Sequence, residues 1–326
     1  IDYYIGFPLI KAWGPGKRCA VDGTLRTIYD DNLLAESHIR YGAKGGISYH
    51  HVADNYIAFF STFMPCGVWE AVELIEGLLK NNSKLKPDTV HGDTQAQSAP
   101  VFGLAYLFNI KLMPRIRNWK DLKFFRVSKE VKYKHIDCLF GDTIDWNLIQ
   151  THWQDLMQVA LSVKQGRISS ALLLKKLTNY SKKNRLYKAF QELGRVVRTI
   201  FLLEYISDID LREVITETTN KVETYHRLSK WVSFASDFIA FTNNPEDMEK
   251  SIKYNAIITN SLILQNVIDM SKIIQKLRQE GWSIRKEDLE RLSPYITEHI
   301  KRFGDYIIDL NLKHENLDKL RSLGLF

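Results

Sequence analysis

The sequence predicts an α/β front half followed by a helical back half. Three observations carry that prediction. Up to about residue 115, short runs rich in β-branched and aromatic residues recur between turn pairs. From about residue 146 those runs fade, and apolar residues recur at helical spacing instead. The chain has 326 residues, 45% hydrophobic and 25% charged. That is ordinary globular usage, enough for two or three units, and it excludes disordered, collagen-like and rod-like chains.

Each element follows from local chemistry. Arg18 to Val21 reads as a short strand ending at the turn pair Asp22-Gly23. Gly46 to Ala53 and Tyr56 to Met64 are strand-like and separated only by Asp54-Asn55, which predicts a hairpin. Val68, Val72, Ile75 and Leu79 then recur at helical spacing. Pro87-Asp88 interrupts the chain before a strand from Thr89 to Gly92 that reaches Asp93. Ser98-Ala99-Pro100 reads as a helix start, with Ser as cap and Pro in the first turn, leading into Val101 to Phe108. Lys111 to Arg115 is a further strand, so the order is β, β, β, α, β, α, β.

Beyond residue 146, Ile149, Trp153, Leu156 and Ala160 share a helical face, as do Ala171, Leu174 and Leu177, and later Phe190, Leu193, Val197 and Phe201. Asn244-Pro245, followed by Glu246 and Asp247, opens a long helix that runs through Ile252, Ala256, Leu262, Val267, Ile273 and Leu277 to a cap at Gly281. Ser293-Pro294 reads as the start of one more.

Charge is segregated. Residues 111–135 hold nine Lys/Arg against two acids, and residues 164–198 hold ten against Glu192 alone. Those two stretches carry +7 and +9 of a total of +7, so the rest of the chain is −9. Such a distribution points to a polyanionic partner. Cys19, Cys66 and Cys138 are sparse, odd in number and without C-x-x-C spacing, which argues against a disulfide framework or structural zinc and for a reducing compartment. No run of about 18 apolar residues predicts a membrane span. No secretion signal is visible, and a chain opening on Ile1 reads as a piece of something longer.

Phosphate-loop, G-x-S-x-G, H-E-x-x-H and G-x-G-x-x-G signatures are absent; Gly42-Ala43-Lys44-Gly45-Gly46 has the wrong spacing. What remains is carboxylates at predicted strand ends: Asp22 after the first strand and Asp93 after the fourth. Ligand groups converge at the carboxyl ends of strands in α/β sheets. Neighbouring carboxylates there repel unless cations lie between them, and hard divalent ions accept such oxygens together with phosphate. Asp142, Asp145, Asp88 and Glu36 compete for the same role, and spacing alone does not separate them.

Val21-Asp22-Gly23-Thr24, His91-Gly92-Asp93-Thr94 and Asn220-Lys221-Val222-Glu223 resemble the three catalytic signatures of the Tn-three family of replicative DDE transposases. Pro114-Arg115-Ile116-Arg117 is similar to that family's basic motif, and Leu193 to Thr199 and Leu292-Ser293-Pro294 resemble it further on. The similarity runs along essentially the whole chain in the right order. It implies an RNase H-like mixed-sheet core with a helical insertion and a helical C-terminal region. The implied boundaries are 1–145 for the first part of the core, 146–211 for the insertion, 212–242 for the core helix with the third acid, and 243–326 for the C-terminal helices.

The resemblance also implies Asp22, Asp93 and Glu223 as catalytic residues and ligands of two Mg²⁺ ions, with Mn²⁺ as a substitute. The expected reaction is 3′-end cleavage at transposon ends followed by strand transfer into target DNA, in a bacterial cytoplasmic, nucleoid-associated setting. Terminal inverted repeats, target DNA and a homodimer are the implied partners. Arg115, Arg117, Lys175, Lys176, Lys182, Lys183, Arg185, Lys221, Arg227 and Lys230 are the expected DNA contacts. Trp119 reads first as a core cover, and His91 as hydrogen-bonded structure. A stand-alone RNase H-like nuclease or junction resolvase, and a non-catalytic DNA-binding remnant, are the alternatives.

Overall fold

A computed structural model of the chain describes residues 1–28, 32, 36–38, 43–66, 70, 73–120, 122–170, 172–174, 184–233, 243–305, 307, 309–311 and 318–321. Helix α1 (Pro8–Trp13) precedes the central strand β1 (Arg18–Thr27). Strands β2 (Glu36–His38), β3 (Ala43–Ala53) and β4 (Ala58–Pro65) follow, then helix α2 (Glu73–Leu79), strand β5 (Thr89–His91), helix α3 (Ala99–Leu107) and strand β6 (Lys111–Leu112). β3 runs antiparallel to β1, and β4 and β2 pair with its other edge. β5 and β6 extend the sheet from β1 in parallel fashion. The predicted hairpin is therefore β3–β4, and the predicted order holds with β2 inserted.

Three local predictions change. The first strand does not stop at Asp22-Gly23; it continues to Thr27. Gly23 is there for close approach, since a Cβ would lie 2.5 Å from Glu70 Oε2 and 2.6 Å from Ile47 Cγ2. The strand expected over 111–115 is assigned only to Leu112, yet the ladder carries on: Met113 N–H donates to Val90 O and Arg115 N–H to Gly92 O. No helix forms at Ser293-Pro294. There the Asn266 amide donates to the carbonyls of Pro294 and Ile296, and Tyr295 O–H donates to Tyr56 O, so side chains take the place of a helical ladder.

The back half begins with a small parallel pair, β7 (Phe124–Arg126) with β8 (Phe140–Thr143), that the sequence did not signal. Then come helices α4 (Trp146–Thr151), α5 (Trp153–Lys164), α6 (Arg185–Ser207), α7 (Ile209–Val232), α8 (Pro245–Gln279), α9 (Lys286–Glu290) and α10 (Asp318–Arg321). The Asn244 side chain caps α8 by accepting from Glu246 N–H, and Gly281 follows the helix end at φ +91°, as the sequence predicts. Ser98 stands at the N-cap of α3 but makes no side-chain cap bond. The periodicity through Val68 and Val72, and that through Ala171 and Leu177, falls outside the described residues.

The sheet is covered on both faces. Cys19, Val21, Ile47 and Tyr49 pack with Phe102, Leu104, Phe190 and Phe201 of α3 and α6. Ala20, Val52 and Ala58 pack on the other face with Val222, Tyr225 and Leu228 of α7 and Ile263 of α8. Alternation along β1 explains the split, because successive side chains point to opposite faces. α3 and α6 cross at glycines: a Cβ on Gly194 would lie 1.7 Å from Ala99 O, and one on Gly103 2.7 Å from Phe190 O. Both obstacles are backbone. Gly194→Ala is therefore expected to lower stability by about 1–3 kcal/mol or more, read as a fall in the urea midpoint; an unchanged midpoint contradicts this crossing.

Candidate active site

The register of the sheet sets where the first two acids stand. Ala20 of β1 lies opposite His91 of β5 in the parallel pair. Asp22 lies two residues further along β1, and Asp93 two residues past His91, just beyond the end of β5. Across its other edge Asp22 is paired with His50 of β3. Helix α7 crosses this face, with Val222 and Tyr225 packed in the same apolar cluster as Ala20. His226 of that helix brings Nδ1 to 3.8 Å from Asp22 Oδ2.

Glu223 sits one turn before His226, on the same side of the helix. Its carboxylate is 46% exposed and lies 3.6 Å from the Arg117 guanidinium. Arg117 follows Arg115, whose backbone pairs with Gly92, so the Arg117–Glu223 contact falls beside the chain that carries Asp93. Asp22 and Glu223 thus both lie along α7, and Asp93 follows the end of β5. Their carboxylates do not form a closed cage: among the described residues, no group of three His, Cys, Asp or Glu stands close enough to hold a metal ion.

Negative charge nevertheless accumulates here. The Tyr49 hydroxyl is pushed well above its ordinary value, by burial first and then by Glu70, Asp93, Asp22 and Glu73. Glu70 is 3% exposed and packs on Gly23, next to Asp22. Sequence reasoning passed over it because its stretch reads only as a helical run and carries no motif; the glycine beside Asp22 was the one available signal. Arg26, also passed over, is buried on the Asp22 face of β1 and donates to Ser48 Oγ and Ser233 Oγ, both at 3.3 Å.

Two of the competing acids are engaged elsewhere. Asp145 caps α4 by accepting from Leu148 N–H, and Asp88 accepts from the Thr89 hydroxyl. Asp142 is exposed on β8. Glu36 lies on β2. His91 is buried, with Nδ1 3.0 Å from Met113 O, which fits its structural reading. Trp119, expected as a core cover, is exposed, with its ring against Tyr205 at 5.6 Å between centroids.

The expected DNA contacts divide sharply. Arg117 is exposed beside Glu223, Arg227 is exposed with a donor on Thr224 Oγ1, and Arg185 is exposed at the first turn of α6. Arg115 and Lys230 are partly buried. Lys221 corrects the expectation: it is buried, and its ammonium donates to Asp54 O at 2.7 Å and pairs with Glu217. It fastens α7 to the turn after β3 and has no access to a surface ligand. Lys175, Lys176, Lys182 and Lys183 lie outside the described residues. Within the two basic stretches, Arg126 pairs with Asp137, Arg195 with Glu192, and Arg198 donates to Gln97 O, so part of that charge serves the fold.

The family profile described as the Tn3 transposase DDE domain matches residues 1–306. The chain belongs to that family. Among its relatives, the transposase for transposon Tn1546 of Enterococcus faecium is 28% identical over 99% of this chain. The transposase for transposon gamma-delta of Escherichia coli strain K12 is 29% identical over 100%, and that for transposon Tn2501 of Escherichia coli is 29% identical over 97%. The chain spans 32% of the length of each of these relatives.

A DDE domain generally implies use of a divalent metal. The donor chemistry fits such an ion: Asp22 and Asp93 offer hard oxygens from neighbouring strands, in a place where acidic charge has gathered. Glu223 fits by type and by the side of the helix it occupies. Its present partner, Arg117, is half-exposed, and exposed ion pairs are worth only about 0–1 kcal/mol, so exchanging that partner costs little.

Proposed function

We propose that this chain is the catalytic part of a DDE transposase that cleaves 3′ transposon ends and joins them to target DNA. One observation supports the reading: in a DDE-family chain, Asp22 stands on the strand paired with the one that leads to Asp93, and α7 brings His226 to Asp22 with Glu223 one turn before it. The strand order β4-β3-β1-β5-β6, with an antiparallel meander on one side of β1 and parallel strands on the other, supports an RNase H-like core. On this reading residues 146–211 are an insertion between the strands and the helix with the third acid, and 243–326 a helical C-terminal region.

Asp22 and Asp93 would hold the metal, with Glu223 completing the set. A bound divalent pair supplies Lewis acidity to both the attacking and the leaving oxygen of a phosphodiester. The chain's own residues do the rest. Asp22 is fixed within β1 by its pairing with His50 of β3, so its carboxylate would need little reorganisation. Arg117, displaced from Glu223, is placed to receive a phosphate next to the scissile bond, and Arg115 lies two residues before it. Arg185, Arg227 and Lys230, with Lys175, Lys176, Lys182 and Lys183, would contact the DNA backbone without reading sequence. Transposon ends, target DNA, a homodimeric assembly and a nucleoid-associated location complete the proposal.

The test is strand transfer. The chain is given Mn²⁺ or Mg²⁺, a transposon-end duplex already carrying a free 3′-OH, and a supercoiled target. Covalent joining of end to target is expected. Nicking without joining turns the reading to a nuclease or resolvase; DNA binding with neither turns it to an inert remnant.

A further inference from the structure

The seam between α7 and the sheet is polar along much of its length. Lys221 reaches Asp54 O, His226 reaches Asp22, and Ser233 receives Arg26. A helix needs only apolar contacts to dock, and polar groups in a seam bring desolvation penalties unless they are partnered. One of them, His226, is incompletely partnered. It is 6% exposed, and its Nε2 is buried without a hydrogen-bond partner. A leucine or phenylalanine would fill that space with no such penalty. Among the described residues, the side chain's polar engagement is with Asp22: the ring hydrogen-bonds the Asp22 backbone and lies 3.8 Å from its carboxylate.

His50 backs this contact from the other side. It is fully buried, is the cross-strand neighbour of Asp22, and has its ring 5.2 Å from that of His226. The ring of His226 is thereby confined between β3 and Asp22. Because Glu223 precedes it by one turn, whatever fixes His226 on Asp22 also fixes the distance between the strand acid and the helix acid.

We propose that His226 is a positioning residue: it anchors α7 on the Asp22 segment of β1 and so governs the spacing of Asp22 and Glu223 on which binding of a shared divalent cation depends. The inference rests on the metal-binding reading of Asp22 and Glu223 given above. A ring packed and hydrogen-bonded against the aspartate fixes its orientation, which is how an outer-shell partner supports metal ligands.

The test measures Mn²⁺ binding itself, by loss of the free-ion EPR signal on titrating the chain with a pre-cut end duplex present. Four proteins are compared: wild type, His226→Phe, which keeps the ring volume without a donor, His226→Gln, which keeps a donor, and Asp22→Asn. Urea midpoints without metal report the fold. His226→Phe is expected to weaken Mn²⁺ binding about 10–100-fold with a wild-type urea midpoint, and His226→Gln to recover most of that loss. If His226→Phe binds Mn²⁺ as wild type does while Asp22→Asn does not, the inference is overturned and the metal reading stands. If Asp22→Asn also binds as wild type, the metal reading falls and takes the inference with it. Should His226→Phe not fold, His226→Gln decides: Mn²⁺ affinity as poor as that of Asp22→Asn overturns the donor role, and affinity near wild type supports it.

Discussion

Asp22→Asn, Asp93→Asn and Glu223→Gln each lower Mn²⁺-dependent DNA nicking by about a thousandfold, equivalent to about 4 kcal/mol of transition-state stabilisation. Each replacement keeps the shape of the side chain and removes the charge that, on the proposed reading, would hold a cation. Folding should survive, because Glu223 is half-exposed and its pair with Arg117 is worth little. Asp22 and Asp93 sit among other acids, so losing one charge there relieves repulsion. Asp145→Asn and Asp88→Asn serve as controls: their carboxylates cap α4 and hold Thr89, so activity is expected to persist. Gel quantification of nicked plasmid reads all five. Full activity in any of the first three removes that residue from the site.

This contrast between active and structural acids was only half legible in the sequence. Asp93 after a short strand was readable, because Pro87-Asp88 and Ser98-Ala99-Pro100 punctuate the chain on either side. Asp22 was found for a reason the structure revises. Asp22-Gly23 reads as a turn, whereas Gly23 is a mid-strand glycine that lets Glu70 approach. Local sequence carries no information on which distant residue crowds a backbone, so a close-approach glycine looks like a turn glycine. The long helix from Asn244 to Gly281 was legible because its caps are local. Lys221 was misjudged for the converse reason. Its spacing puts it near Glu223, but burial against Asp54 and Trp13 is decided by tertiary contacts 167 and 208 residues away. The parallel β7–β8 pair was missed because a three-residue strand gives no alternation to read.

Below about pH 6 the fold should lose stability steeply. His51 and His91 are fully buried, and burial lowers each pKa to about 4, although each ring has a nitrogen within hydrogen-bond distance of a backbone carbonyl, Leu74 O and Met113 O. His50 and His226 are lowered in the same sense, again chiefly by burial. In the unfolded chain these groups take up a proton near pH 6.5, and in the folded chain only well below that. Between those values the unfolded state binds more protons, so stability falls as pH falls. Their contribution is complete above about pH 6.5 and is withdrawn as pH drops towards 4. Two shifts of this size come to about 3 kcal/mol each, against a total stability of about 5–15 kcal/mol for a typical fold. Urea midpoints by circular dichroism at pH 7.5, 6.5, 5.5 and 5.0 should decline progressively below 6.5, with an unchanged slope. A flat midpoint over that range would mean that the four rings are not held neutral by burial.

The gathering of Asp22, Asp93 and Glu223 around one metal is tested most directly by local protein cleavage. Fe²⁺ is substituted into the chain with a pre-cut end duplex bound, ascorbate and peroxide are added, and the radical-cut fragments are mapped. Cuts grouped beside residues 22, 93 and 223, and suppressed by excess Mg²⁺, are the expected result. Cuts beside 22 and 93 but never 223, or cuts confined to another part of the chain, would show that the three acids do not share an ion.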